Sequence, residues 1–320
     1  MICTAMTEMF GLRYPIVLAP MGGVSGGNLA AAVSNAGGLG LVGGGYGDTE
    51  WLRNELSRVK NQTSQPWGLG LITWSIKPGV LELALRYQPS AFMLSFGDPR
   101  PFAKTIRSAG CKLICQVQDL QQAQLAREAG ADLVVAQGTE AGGHGGGRST
   151  LPLVPAVVDA VAPTPVIAAG GIGDGRGLAA ALMLGAQGVL IGTRFYASVE
   201  SLGSDEAKRR IVGASGSDTA RTRVFDIVRD YAWPEHNLGR ALRNRFLDRW
   251  DEHQSDLAAS LKTEGAAYQT AVRDGDYETA VVWAGEAVDL IRSIESAAKL
   301  VERIGAEAQL RLQEVINSVR

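Results

Sequence analysis

Eight short runs of apolar residues punctuate the first 195 positions of the chain, and Ala- and Leu-rich stretches with helical spacing lie between them. The runs cover positions 15–20, 39–44, 67–73, 91–96, 112–117, 132–137, 165–171 and 188–194. They are apolar throughout instead of alternating with polar residues, which marks strands covered on both faces, as in a parallel sheet. Three of the intervening helical patterns close on Ala-Gly or Leu-Gly and enter the next strand within a few residues: SNAGGLGLV, REAGADLVV and MLGAQGVLI. That joint, repeated, belongs to βα units. Eight units are the number that closes a (β/α)8, or TIM, barrel. An open doubly wound sheet is the competing α/β architecture, but it gathers its ligand glycines in the first unit. Here they gather after the late strands, so the sequence predicts the barrel.

Between about Glu200 and Tyr277 the strand runs vanish and charge rises. This part reads as a C-terminal helical insertion packed on the barrel, its helices broken at Pro234. Arg243, Arg245 and Arg249 alternate there with apolar and acidic neighbours, the pattern of a solvated helix face. The expected division is a barrel from 1–199 and 278–320, with the insertion at 200–277. From Val281 onward the chain reads as helix, and Val288, Ile291, Ile294, Ala298, Val301 and Ile304 form one apolar stripe. Such a stripe closes the barrel as an outer helix; a homodimer contact is its alternative use.

Of the 320 residues, 46% are hydrophobic and 20% charged, enough for a large core, and the formal net charge is -2. That balance argues against a nucleic-acid or anionic-membrane partner. The opening MICTAMTEMFGLRYPIVLAP lacks a basic segment ahead of an apolar one. No apolar run reaches the roughly 18 residues of a membrane span. Cys3, Cys111 and Cys115 do not form a metal constellation, so no metal is expected. They read as reduced thiols of a cytoplasmic protein, with Cys111 and Cys115 in or near the core.

The chemistry gathers at the C-terminal ends of the strands, where a barrel of this kind places its βα loops and its active site. After the sixth strand, six of the ten residues from Gly138 to Gly147 are glycine, and His144 stands among them. The seventh strand ends in Gly170, Gly171 and Gly173, and the eighth in Gly192 and Thr193. Tight βα turns are the plain reading of these glycines. Paired glycine loops near a helix N-terminus also suit a phosphate, held by bare N–H groups and the helix dipole. The Thr193 hydroxyl adds a donor. At the first strand, Ala19, Pro20, Met21 and Gly22 offer an apolar edge and open backbone, suited to a flat ring. Ring plus phosphate suggests flavin mononucleotide.

An imidazole in a mouth loop can take or give a proton at neutral pH, which makes His144 the catalytic candidate. His236 and His253 fall in the charged insertion and read as surface residues. Glu140 would either orient the imidazole or support the loop. The stretch GLGLVG at positions 38–43 matches G-x-G-x-x-G. Its glycines run through a strand and no helix opens after it, so a nucleotide fingerprint is rejected.

The stretches YPIVLAPMGGVSGGNLAAAVSNAGGLGLVGGG, MLSFGDP, AQGTEAGGHGG, PVIAAGGIGDGRGLAAALMLGAQGVLIGTRF and WAGEAVDLI together resemble the nitronate monooxygenases. These are FMN-dependent TIM-barrel enzymes formerly called 2-nitropropane dioxygenases. The resemblance implies FMN as cofactor and oxidation of alkyl nitronates, or nitroalkanes, by oxygen to a carbonyl compound and nitrite. It implies that His144 deprotonates a nitroalkane or holds a nitronate beside the flavin. Met21 and its neighbours Ala19, Pro20 and Gly22 would line the flavin, together with Gly70, Gln116, Gln137, Gly142, Gly170 and Leu190. Gly171, Gly192 and Thr193 would bind its phosphate.

Two departures from the family stand out. Many members carry Asn in the third strand where this chain has Gly70, so one hydrogen bond to flavin or substrate is missing or supplied elsewhere. The charged segment from Glu200 to Tyr277 is longer than compact bacterial forms would have. Two other functions fit the same frame. One is an NAD(P)H-dependent flavin reductase resembling the enoyl-ACP or quinone reductases, which share the glycine loops. The other is a barrel that binds a phosphate ligand without turnover.

Overall fold

The computed structural model describes residues 2–319. Its strands are β1 (Ile16–Leu18), β2 (Gly40–Gly43), β3 (Trp67–Ile72), β4 (Ala91–Ser95), β5 (Lys112–Val117), β6 (Leu133–Gln137), β7 (Gly143–Gly145), β8 (Val166–Ala169), β9 (Val189–Ile191), β10 (Thr219–Thr222) and β11 (Leu238–Leu242). Eight are parallel neighbours in the order β2-β3-β4-β5-β6-β8-β9-β1. The ring closes where Val17 of β1 lies opposite Leu39, whose carbonyl accepts the Leu18 N–H at 2.9 Å. This is the (β/α)8 barrel that the repeats predict.

The unbroken apolar runs follow from burial on both faces. In β6, Leu133 and Val135 point into the barrel, while Val134 and Ala136 meet the surrounding helices. The helix Ala5–Phe10 carries Met6 and Phe10 into the interior cluster. Thr4 caps that helix in a reciprocal box with Thr7, and Gly11 ends it with φ 65°. Each fully buried Leu, Ile or Val adds about 1.5–3 kcal/mol to this core.

The segment 200–277 is not purely helical. It holds the helices Asp205–Gly213, Val224–Val228, Arg245–Trp250, Gln254–Ala259 and Leu261–Asp274, but also β10 and β11. These two pair antiparallel, and β11 takes β7 as its other neighbour, with Gly239 opposite His144. Their sequences, TART and LGRAL, are half polar, as befits a sheet that is not covered on both faces. Pro234 lies in the loop before β11 and breaks no helix. Phe225, Phe246, Leu247, Trp250 and Tyr268 give this part a small core of its own. Arg243, Arg245 and Arg249 are exposed, as expected.

The C-terminal stretch also departs from the helical reading. The long helix runs only over Ala297–Ser318, started by Ser296, whose hydroxyl accepts the Lys299 N–H. Before it, Trp283 bridges to Ala241 beside β11, and a 3-10 turn spans Glu286–Leu290. Val288 and Ile291 are therefore buried against Tyr196, Ile211 and Leu242, not on the helix, and Ile294 is 38% exposed. The real helix face is Leu300, Val301, Ile304, Gly305 and Ala308. Among the described residues no helix is long and apolar enough to cross a membrane.

Candidate active site

The loops at the C-terminal ends of the barrel strands enclose a cavity of about 760 Å³. Every candidate position borders it. Ala19, Pro20, Met21 and Gly22 follow β1, Gly70 lies in β3, and Leu190 in β9. Gln116, Gln137, Gly142 and His144 come from β5, β6 and the loop beyond. Gly170, Gly171, Gly192 and Thr193 follow β8 and β9.

The phosphate expectation changes in one respect. The helix after β8, Gly175–Met183, has its N-terminus occupied by carboxylates. Asp174 accepts the N–H groups of Arg176 and Gly177 at 2.9 and 3.2 Å, and Glu307 accepts that of Gly175 at 3.1 Å. A phosphate there would meet like charge. The helix after β9 has only four residues, Thr193–Tyr196. What remains is loop backbone: the N–H groups of Gly171, Gly192 and Thr193 have no hydrogen-bond partner among the described residues. The Thr193 hydroxyl accepts the Gly285 N–H at 2.9 Å and keeps its own proton to donate. Gly171 is exposed and Gly192 and Thr193 are half-buried, so these four donors are open to a bound anion at the cavity.

Gly70 has a physical reason. A Cβ at that position would fall 2.2 and 2.3 Å from Cγ and Cβ of Pro20. An Asn does not fit while Pro20 forms the first-strand edge. The amides nearest to supplying the lost polar contact are in β5 and β6. Gln137 Oε1 accepts from Gln116 and Gln118, each at 2.9 Å, and its Nε2 donates to the His144 carbonyl at 3.0 Å. Gln137 therefore anchors the histidine loop, while the Gln116 carbonyl is not used in that network. The rejected fingerprint is likewise explained by packing: a Cβ at Gly40 would lie 1.9 Å from the Ala30 carbonyl oxygen.

His144 is held by the insertion. Its loop forms β7 on β11, and two arginines opposite one another in β10 and β11 clamp it. Arg221 donates to Thr139 Oγ1 at 2.7 Å and to the Gly145 carbonyl at 2.6 Å; Arg240 donates to the Thr139 carbonyl at 3.0 Å. Burial, followed by the neighbouring Arg240, holds the Arg221 guanidinium below its ordinary pKa.

The imidazole Nε2 lies 2.8 and 2.9 Å from the two oxygens of Asp226, and the side chains are only 8% and 4% exposed. A carboxylate only accepts, so Nε2 carries the proton and Nδ1 of the neutral ring is the basic nitrogen. Nδ1 has no partner among the described residues. Trp233 stacks flat on the ring, with centroids 3.5 Å apart and planes at 3°, and Trp283 sits 5.1 Å away. The imidazole is fixed on one face by stacking and on one edge by charge.

Glu140 supports the loop and does not orient the histidine: its carboxylate accepts the Thr150 N–H and hydroxyl. Asp226, Trp233, Trp283, Arg221 and Arg240 were not recognised in the sequence. The available signal for Asp226 was a single acid inside the short apolar helix VFDIV. His236 and His253 are exposed, as expected.

Comparison with known proteins decides the family. The nitronate monooxygenase family model matches residues 3–76 and 72–307. A probable nitronate monooxygenase from Staphylococcus aureus is 30% identical over 331 residues, covering 88% of this chain and 90% of that one. The chain belongs to the nitronate monooxygenase family.

Among solved structures, FabK from Thermotoga maritima superposes with a TM-score of 0.89 at 31% identity, covering 100% of both chains. A nitroalkane oxidase from Streptomyces ansochromogenes gives 0.83 at 29% identity, covering 98% of this chain and 100% of that one. This family member is a flavin-dependent oxidoreductase. The site fits the flavin on its own terms: unpartnered loop N–H groups for an anion, an apolar strand edge for the ring, and a buried proton acceptor beside them.

Proposed function

We propose that this enzyme binds FMN and uses oxygen to oxidise nitronates, and nitroalkanes after deprotonation, to carbonyl compounds and nitrite. Two nitronate anions and one dioxygen give two carbonyl compounds and two nitrite ions, so carbon is oxidised and oxygen reduced with no other reductant. The observation that carries the reading is the His144–Asp226 pair on a flavin cavity of this family. Met21, Pro20 and Leu190 would hold the ring, and Gly171, Gly192 and Thr193 the single phosphate. The bound flavin supplies the electron-transfer chemistry.

The chain's own part is proton control and placement. His144 Nδ1 takes the proton from the carbon bearing the nitro group. The imidazolium so formed is stabilised by Asp226, which keeps the positive charge beside the nitronate oxygens. Trp233 and Trp283 keep water from the ring face. A nitronate supplied ready-made skips the proton step and needs only the placement.

Anaerobic mixing of FMN-loaded protein with propyl nitronate tests this: the flavin spectrum changes, and admitted oxygen yields nitrite. The whole-chain likeness to FabK favours a second reading, reduction of a substrate at the expense of NADH. Bleaching by NADH with no response to the nitronate would establish that reading in place of the first.

A further inference from the structure

Beyond the flavin contacts, the cavity wall is unusually aromatic. Tyr46, Phe96, Tyr231, Trp233 and Trp283 border it from four separate segments, around His144. They form one connected wall. The Trp233 indole meets Phe96 edge-on at 4.9 Å and 80°, and its Nε1 donates to the Tyr46 hydroxyl at 2.8 Å. Tyr46 stacks on Tyr231 at 4.2 Å and 14°.

One member of this wall sits on strained backbone: Phe96 has φ 62°. A bulky residue in the left-handed region costs about 1–3 kcal/mol and is found where the surroundings require it. Phe96 remains only half-buried at that expense, with its ring on the cavity. A ring held in strain against open space is placed for a ligand, not for the core.

Two cations and two carboxylates border the cavity, and both carboxylates are engaged, Glu140 by the Thr150 N–H and hydroxyl. Lys77 and Arg229 border the cavity, with the Arg229 guanidinium 4.6 Å above the Tyr231 ring. Asp48 also borders it, but its carboxylate is turned to cap the helix Thr49–Gln62. An approaching anion therefore meets cations outside and aromatic faces within.

We propose that the substrates of this site are aryl-substituted nitronates, planar anions whose ring packs on Phe96 and Tyr231 while the nitronate reaches His144. The inference rests on the proposed nitronate oxidation and deepens it. The overall balance is unchanged, with an aromatic carbonyl compound and nitrite as products.

The test has a binding arm and a turnover arm, both on FMN-loaded protein. Benzoate and butanoate, redox-inert carboxylates, are titrated while the flavin absorbance is followed. Benzoate is expected to bind about tenfold tighter, a factor equal to about 1.4 kcal/mol and the scale of one or two aromatic contacts. The nitronates of phenylnitromethane and 1-nitropropane are then compared by kcat/KM, with a similar preference expected. In Phe96→Leu and Tyr231→Leu both ratios fall toward unity. Equal binding of the two carboxylates and equal kcat/KM for the two nitronates overturns the aryl preference and leaves nitronate oxidation standing. Tight benzoate binding without oxidation of either nitronate overturns the oxidation and supports an aromatic anion as the ligand.

Discussion

Asp226→Asn isolates what the buried carboxylate does for His144. The substitution keeps the shape and replaces a charged acceptor by a neutral amide. Only one proton lies between Nε2 and the two oxygens at 2.8 and 2.9 Å, so one hydrogen bond is at stake, shared between two acceptors. It is charge-assisted, and both partners are almost fully buried, which limits solvent screening. Bonds of that type are worth about 1.5–3 kcal/mol, which corresponds to about 10- to 150-fold in rate.

The full loss should appear only where His144 must become an imidazolium, in turnover of neutral nitroalkanes. Preformed nitronates skip that step, so their kcat/KM should change by no more than about twofold or threefold. Oxygen uptake measured with 1-nitropropane and with its nitronate gives both numbers from one preparation. Equal losses on both substrates, or no loss on either, would refute the assigned division between proton transfer and placement.

Other perturbations follow from the same geometry. Gly70→Asn, which restores the residue common in the family, should destabilise the protein by about 1–3 kcal/mol in denaturant melts, because its Cβ overlaps Pro20; tighter flavin binding at unchanged stability would contradict this. Thr193→Val removes a donor and leaves the Gly285 N–H unpaired, so the FMN Kd should rise about five- to tenfold, read by fluorescence of released flavin. At pH 8 an aromatic disulfide reagent should titrate Cys3 rapidly, and Cys111 and Cys115 only after unfolding, since both are buried. Burial, with a smaller effect of Asp132, pushes the Cys115 thiol from 9.0 up to about 12. The folded state holds that proton more tightly, so its stability contribution is complete below pH 9 and is lost as pH rises toward about 12, measurable by alkaline melts of Cys115→Ala against the parent.

The barrel was legible because each of its strands is buried on both faces and so spells out an apolar run. The strands β10 and β11 were not. TART and LGRAL mix charge with small residues, and their partner β7 is Gly-His-Gly, which has no strand propensity of its own. His144 stood out because its loop is attached to a readable strand. Asp226 did not, because it lies 82 residues away and reaches the imidazole only through a sheet that the sequence hides. Gly70 could be noticed as a departure, but its cause, the Pro20 ring, belongs to another strand. Local pattern thus identified the strand-end glycines and the apolar edge of the cavity, and long-range pairing determined the surroundings of His144.

That long-range pairing has a consequence for how the enzyme fails. The donors and apolar edge suited to the flavin sit at the ends of barrel strands, whereas His144 is kept in place by a three-stranded ribbon whose other two members arrive late in the chain. Short ribbons with exposed edges open more easily than a closed barrel. Heat or mild denaturant should therefore release Asp226, Trp233 and the arginine clamp first, in one local opening. In that state the imidazole is free in solvent while the barrel still grips its cofactor, so activity disappears before the yellow of the flavin does.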